Sequence, residues 1–204
     1  MPNVETNLTK PFPVVFSGHT LKYEIECICK IFLPIRKFTF LYDTAQLPED
    51  AEEGAVLTLE QQGSQSRFFV RVQYLGKTLE QEQFFPACSP ETDKQLCEYR
   101  FSAMLFRLLE QITDLHPAWG LLPGIRPVKK VHPYLGKGYT KAEVCEKLHE
   151  KFWISSEKLS LVYDTAIVQQ PLLEKTPKRG ISLHLSITFC LTRCSYCFFV
   201  TTSI

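Results

Sequence analysis

Charge of one sign is missing from this chain. Its 204 residues carry 23 basic and 22 acidic side chains, for a net charge of +1. Nothing here supplies the electrostatic field that draws a protein to nucleic acid or to an anionic membrane. Long apolar runs are missing too, and no stretch reaches bilayer-spanning length. The first residues, Met1 to Phe16, lack a basic start followed by an apolar core, so no secretory signal is expected. There is no internal repeat and no low-complexity tract. A structural zinc site usually has paired C-x2-4-C units, and only one set exists here. Eight cysteines occur without a secretion signal. That combination points to the cytoplasm, a reducing compartment, and to free or metal-bound thiols rather than disulfides.

With 45% hydrophobic and 22% charged residues, the composition is that of a soluble globular protein. Residues 1–11 are polar and read as loose. A strand begins at Val14–Phe16. Over residues 21–33 the pattern fits either element, but Ile25, Ile28, Cys29 and Phe32 share one helical face. A helix ended by Pro34 is preferred there. Phe38, Phe40 and Tyr42 alternate as a strand, and Leu47–Gly54 reads as an acidic loop. A hairpin is expected from Ala55–Leu59 and Phe68–Tyr74, with Gln61–Ser66 as its turn. Ser89-Pro90-Glu91 has the form of a helix start. Cys97, Phe101, Met104, Leu108 and Ile112 continue it at helical spacing. Strand, helix, three strands and helix describe an α+β N-terminal domain over residues 12–116.

A helical connector is expected over residues 117–180. Pro123, Gly124 and Pro127 forbid a regular helix at its start. Thr140-Lys141-Ala142-Glu143 is a capping box, with Val144, Leu148 and Phe152 inward. Ser155 or Ser156 opens a further helix carrying Leu159, Val162 and Ala166 and stopping near Pro171. A charged linker follows over Glu174–Gly180. Ile181–Ile187 then alternates as a strand that runs directly into Cys190.

Cys190, Cys194 and Cys197 form C-x3-C-x2-C, with Tyr196 just before the third thiol. Three thiolates on a short loop can hold three irons of a four-iron cluster and leave the fourth iron for a small molecule. S-adenosylmethionine (SAM) radical chemistry is one use of such an open iron. Zinc is the rival, and it would need His184 as a fourth ligand from a position six residues upstream. Three ordinary buried thiols are the remaining alternative. Cys27, Cys29, Cys88, Cys97 and Cys145 have no metal spacing and read as small buried hydrophobes. Arg126, with Lys129 and Lys130 beside a rigid turn, is either an anion contact or, preferably, a partner in a structural ion pair. His116, His132 and His149 stand alone and read as solvated or capping residues. Trp119 and Trp153 read as core.

The run Leu-His-Leu-Ser-Ile-Thr-Phe-Cys-Leu-Thr-Arg-Cys-Ser-Tyr-Cys-Phe-Phe, residues 183–199, resembles the start of the radical SAM domain of oxygen-independent coproporphyrinogen oxidase-like proteins. Trp-Gly-Leu-Leu-Pro-Gly-Ile-Arg-Pro-Val-Lys, residues 119–129, is similar to a segment of the coproporphyrinogen dehydrogenase (HemZ-type) branch. The resemblance is clear over 119–204 and weak over 12–115. It implies that residues 181–204 are the first strand and cluster loop of a truncated radical SAM α/β barrel. It further implies a 4Fe-4S cluster on Cys190, Cys194 and Cys197, with SAM on the open iron and Tyr196 and His184 beside them. One electron from a donor would cleave SAM to methionine and a 5′-deoxyadenosyl radical. That radical would take hydrogen from a small-molecule tetrapyrrole substrate, in the setting of porphyrin biosynthesis, without nucleic acid or membrane. Thr188 and Leu191 stand where the family has proline, His184 where it often has tyrosine, and Phe198 and Phe199 where the oxidases proper have further cysteine. These departures keep the three ligands. Most of the barrel is not in the sequence, so the 204 residues alone are expected to be inactive on SAM. A haem- or tetrapyrrole-binding protein of the same superfamily, and an interaction domain made of residues 12–180, are the alternative functions.

Overall fold

The computed structural model describes residues 10–122 and 126–177, apart from 43, 45 and 50, together with 180 and 183. The order is β1 (Phe12–Ser17), α1 (Tyr23–Phe32), β2 (Phe38–Tyr42), β3 (Gly54–Gln62), β4 (Gln65–Tyr74), β5 (Lys77–Pro86), α2 (Lys94–Thr113), α3 (Lys141–Phe152) and α4 (Ser156–Lys175), with two 3-10 turns at Pro127–Lys130 and His132–Tyr134. The five strands form one mixed sheet in the order β2-β1-β3-β4-β5. β1 runs parallel to both β2 and β3, and β3, β4 and β5 are antiparallel neighbours. The α+β expectation is met.

Alternation decides which face of the sheet is covered. Phe12, Val14 and Phe16 of β1, Leu57 of β3, and Phe68 and Val70 of β4 are fully buried against the helices. α1 buries Ile25, Ile28, Cys29 and Phe32, the face read from the sequence. Its Phe32 meets Phe106 of α2 edge to face at 5.0 Å, and Phe101 of α2 packs on Phe68 at 4.8 Å. On the opposite face Arg67 pairs with Glu60 and Glu82, and Arg71 pairs with Glu80. Exposed pairs of this kind are worth about 0–1 kcal/mol each, so they set register more than stability.

Three local expectations are corrected. The hairpin turn is two residues long, Gly63 and Ser64 between Gln62 and Gln65, rather than Gln61–Ser66. Gly63 at φ +62° makes so tight a return possible. β5 was not expected. Its sequence alternates Glu with Gln and has only Leu79 and Phe85 as apolar residues on the helix side. It is reached through Leu75 and Gly76, both at positive φ (52° and 70°), a two-residue turn without the usual Asn-Gly signal. Ser89-Pro90-Glu91 forms a separate turn, closed by Asp93 N–H on the Ser89 carbonyl at 2.8 Å. α2 then starts at Lys94, because Asp93 (φ −129°, ψ 41°) breaks the helical path between them.

The same apolar core continues through Leu121, Val131, Val144, Leu148, Ile154 and Ala166. Residues 118–121 lie against the α3–α4 turn, with Leu121 N–H on the Phe152 carbonyl at 2.8 Å and Ser155 N–H on the Ala118 carbonyl at 2.9 Å. A side chain at Gly120 would meet the Phe152 carbonyl oxygen at 2.0 Å, so only glycine fits there. α3 has the expected capping box: Glu143 N–H donates to Thr140 Oγ1 at 3.3 Å, and Thr140 N–H donates to Glu143 Oε2 at 2.7 Å. Thr140→Ala should therefore cost about 1 kcal/mol in chemical denaturation. A cost within error would mean that α3 is held by packing alone.

α4 does not stop near Pro171 but contains it and continues to Lys175. Proline there removes one intrahelical donor, the partner of the Ile167 carbonyl. Residues up to Ala166 form one compact unit, and a second begins at Ile167.

Candidate functional site

Cys190, Cys194, Cys197, Tyr196 and His184, together with the strand expected over Ile181–Ile187, lie outside the described residues apart from Leu183. What the structure places is the remainder of the chain's polar chemistry. Among the described residues no group of three or more His, Cys, Asp or Glu side chains could hold a metal ion. Also among them, no helix is long and apolar enough to cross a membrane.

The other five cysteines are spent within the fold. Cys29, Cys88 and Cys97 are buried, and Cys27 and Cys145 are half-buried on helix faces. Burial pushes the Cys29 thiol up to about 12, which keeps it protonated. Arg126 is exposed at φ +75°, and no ion pair involves it among the described residues, in place of the structural pair preferred from sequence. His116 is exposed beside Glu110 (3.1 Å) and Asp114 (3.7 Å). His149 Nδ1 lies 2.8 Å from the Ile154 carbonyl and ties α3 to the turn after it.

Two features escaped the sequence reading. The first is His19, only 8% exposed, stacked on Phe101 at 4.3 Å and edge-on to Phe16 at 5.3 Å. Leu21 N–H donates to its Nδ1 at 3.3 Å, while Nε2 has no partner in hydrogen-bonding geometry among the described residues. Burial lowers its pKa from 6.5 to about 4, against a smaller upward pull from the Leu57 backbone. The folded protein thus refuses a proton that the unfolded chain accepts. Its contribution to stability is complete above pH 6.5 and is lost as pH falls to about 4. Over that window wild type should lose on the order of 3 kcal/mol more than His19→Leu. Parallel stability profiles for the two proteins, from denaturation between about pH 7 and about pH 4, would show that His19 does not titrate this way.

The second is a cavity of about 370 Å³ lined by Lys10, Pro13, Arg36, Thr39, Leu41 and Glu53, among others. At its wall Arg36 Nη1 lies 2.9 Å from Glu53 Oε2, with side chains only 5% and 9% exposed. The contact is close but poorly aligned, and among the described residues Arg36 Nε and Glu53 Oε2 have no hydrogen-bond partner. Sequence spacing gives no hint of this pair. Arg36 follows a helix stop, and Glu53 closes a run read as a solvated acidic loop.

In sequence, the three-cysteine motif follows this α+β unit and its helices. No family model matches it. It is similar to the oxygen-independent coproporphyrinogen-III oxidase-like protein HemZ of Bacillus subtilis (strain 168), with 31% identity over 166 residues, or 78% of this chain. The chain spans 33% of the length of that curated relative. The resemblance to the coproporphyrinogen oxidase-like proteins of the HemZ-type branch is thus borne out.

Proposed function

We propose that this chain is the cluster-bearing N-terminal portion of a radical SAM oxidoreductase acting on a coproporphyrinogen-like tetrapyrrole. The observation that carries this reading is the C-x3-C-x2-C spacing of Cys190, Cys194 and Cys197, in a chain similar over 78% of its length to an oxidase-like protein. The donor set fits a four-iron cluster. Thiolates are its ordinary ligands, and three remain once the five cysteines placed within the fold are set aside. When bound, such a cluster supplies one-electron reductive cleavage of SAM, and an external donor provides the electron.

The residues of this chain would hold and position. Cys190, Cys194 and Cys197 would take three irons and leave one coordination site for SAM. Tyr196, just before Cys197 in sequence, and His184, six residues before Cys190, would flank the cofactors. The α+β domain (12–116) and helical connector (117–180) would carry the start of the radical SAM domain (181–204), which would supply the first strand and cluster loop of an α/β barrel. The cytoplasm suits free thiols and an oxygen-sensitive centre.

The test is anaerobic reconstitution of the 204-residue chain with iron and sulfide. About four irons and four sulfides per chain are expected, with a change in the spectrum of the reduced cluster when SAM is added. Zinc uptake without sulfide would overturn the assignment. For the substrate class, titration with coproporphyrinogen III should quench tryptophan fluorescence at lower concentration than an unrelated dicarboxylate. Binding of haem in its place would favour the tetrapyrrole-carrier alternative.

A further inference from the structure

Where β5 ends, the chain passes through Cys88 on its way to α2. Both sides of the Cys88 peptide are held. Its N–H donates to Ser66 Oγ at 2.9 Å, and its carbonyl accepts from Gln61 Nε2 at 2.7 Å and Ser66 Oγ at 3.0 Å. The sulfur is held as well. Cys97 of α2 donates its S–H to Cys88 Sγ across 3.6 Å, and Arg100 Nη1, one helical turn further on, approaches that same sulfur to 2.9 Å. Arg100 is itself fixed by the rings of Phe85 (3.9 Å to the centroid) and Phe68 (5.3 Å).

The two thiols are not equivalent. Cys97 has no exposed surface, and burial together with its Cys88 neighbour keeps it a thiol well above the ordinary range. Cys88 retains 6% exposure and receives two donors, one of them cationic. A cationic donor on sulfur is the setting in which cysteines react with oxidants.

We propose that Cys88 and Cys97 form a thiol-modification site, in which a small peroxide oxidises Cys88 and the pair closes to a disulfide. The Cys88 sulfur attacks one peroxide oxygen, the O–O bond breaks, and water leaves with the thiol proton, giving a sulfenic acid. The Cys97 sulfur then attacks the Cys88 sulfur. The S–O bond breaks, and the departing hydroxide takes the Cys97 proton as a second water. Two thiols and one hydrogen peroxide yield one disulfide and two waters, and the peroxide accepts both electrons. The sulfurs close from 3.6 Å to about 2.05 Å.

The experiment treats the full 204-residue chain, reduced and freed of reductant, with stoichiometric hydrogen peroxide, then blocks free thiols and maps tryptic peptides. Peptides 78–94 and 95–100 should appear joined, lighter by two hydrogen atoms, and dithiothreitol should separate them. Arg100→Gln should slow the joining roughly tenfold, the value of one charge-assisted hydrogen bond. Three results would overturn the proposal: both peptides recovered as blocked free thiols while Cys190, Cys194 or Cys197 is oxidised, Cys88 joined to any other cysteine, or unchanged kinetics in Arg100→Gln. Peptide mapping on the unaltered chain assigns the pair whether or not a variant folds.

Discussion

Alanine at Cys190, Cys194 or Cys197 is expected to leave the chain folded and, if the proposed ligand set holds, unable to assemble a four-iron cluster. Iron per reconstituted chain falls from about four to less than about one, with sulfide falling in step. The size of the effect follows from the ligand count. Three thiolates already leave one iron without a protein ligand, so a cluster deprived of another has two, and nothing near in sequence replaces it. His184 is six residues before Cys190 and Tyr196 offers a phenol rather than a thiolate. The fold should not respond, because the core described above is built from residues between Phe12 and Ala166. Thermal melts of the apo variants should therefore match wild type within about 0.5 kcal/mol. Cys27→Ala and Cys145→Ala are the controls. Both thiols sit half-buried on helices and should leave iron and sulfide unchanged. If Cys190→Ala keeps its full complement, Cys190 is not a ligand; if all three variants do, the metal is held elsewhere.

What lies in residue type and close spacing is legible without tertiary context, and this holds for the capping box at Thr140 and Glu143, where the interacting groups are three residues apart. It holds as well for α1, where four apolar side chains at helical intervals outweigh a strand-like alternation once Pro34 limits the length. β5 fails the same kind of reading. An edge strand paired on one side need not be apolar, and Glu80 and Glu82 become informative only beside Arg71 and Arg67. The start of α2 was misplaced because Ser89 and Pro90 do form a turn, and whether that turn propagates depends on the backbone of Asp93. Pro171 forbids one hydrogen bond, not a helix, and the surrounding turns of α4 tolerate the loss. His19, the Arg36–Glu53 pair and the Cys88–Cys97 pair lie beyond sequence reading for one shared reason. Each is made by the fold, from a loop residue met by an aromatic helix face, or from partners nine and seventeen positions apart.

Arg36→Met is expected to destabilise the α+β unit by about 3–5 kcal/mol, comparable to deleting a large core side chain. The cost comes from Glu53. Its carboxylate is 9% exposed, receives among the described residues a long 3.4 Å bond from Leu75 N–H besides the guanidinium, and would be left as an uncompensated buried charge. Yet the pair itself is poorly satisfied, since Arg36 Nε and Glu53 Oε2 lack hydrogen-bond partners among the described residues. Two desolvated charges with imperfect bonds recover little more than their desolvation cost. The double change Arg36→Met with Glu53→Leu should therefore regain most of the loss and end within about 1 kcal/mol of wild type, or above it. Chemical denaturation of the three proteins gives the coupling directly. A double variant as unstable as Arg36→Met would mean that the guanidinium stabilises through packing, by its stem over the cavity wall and its approach to the Phe12 ring at 6.0 Å, rather than by neutralising Glu53. A mild Arg36→Met, below about 1 kcal/mol, would mean that Glu53 swings out to water through the cavity it lines. Recovery in the double variant would place the pair's value in joining the link after α1 to the chain just before Gly54, where β3 begins, rather than in net stability.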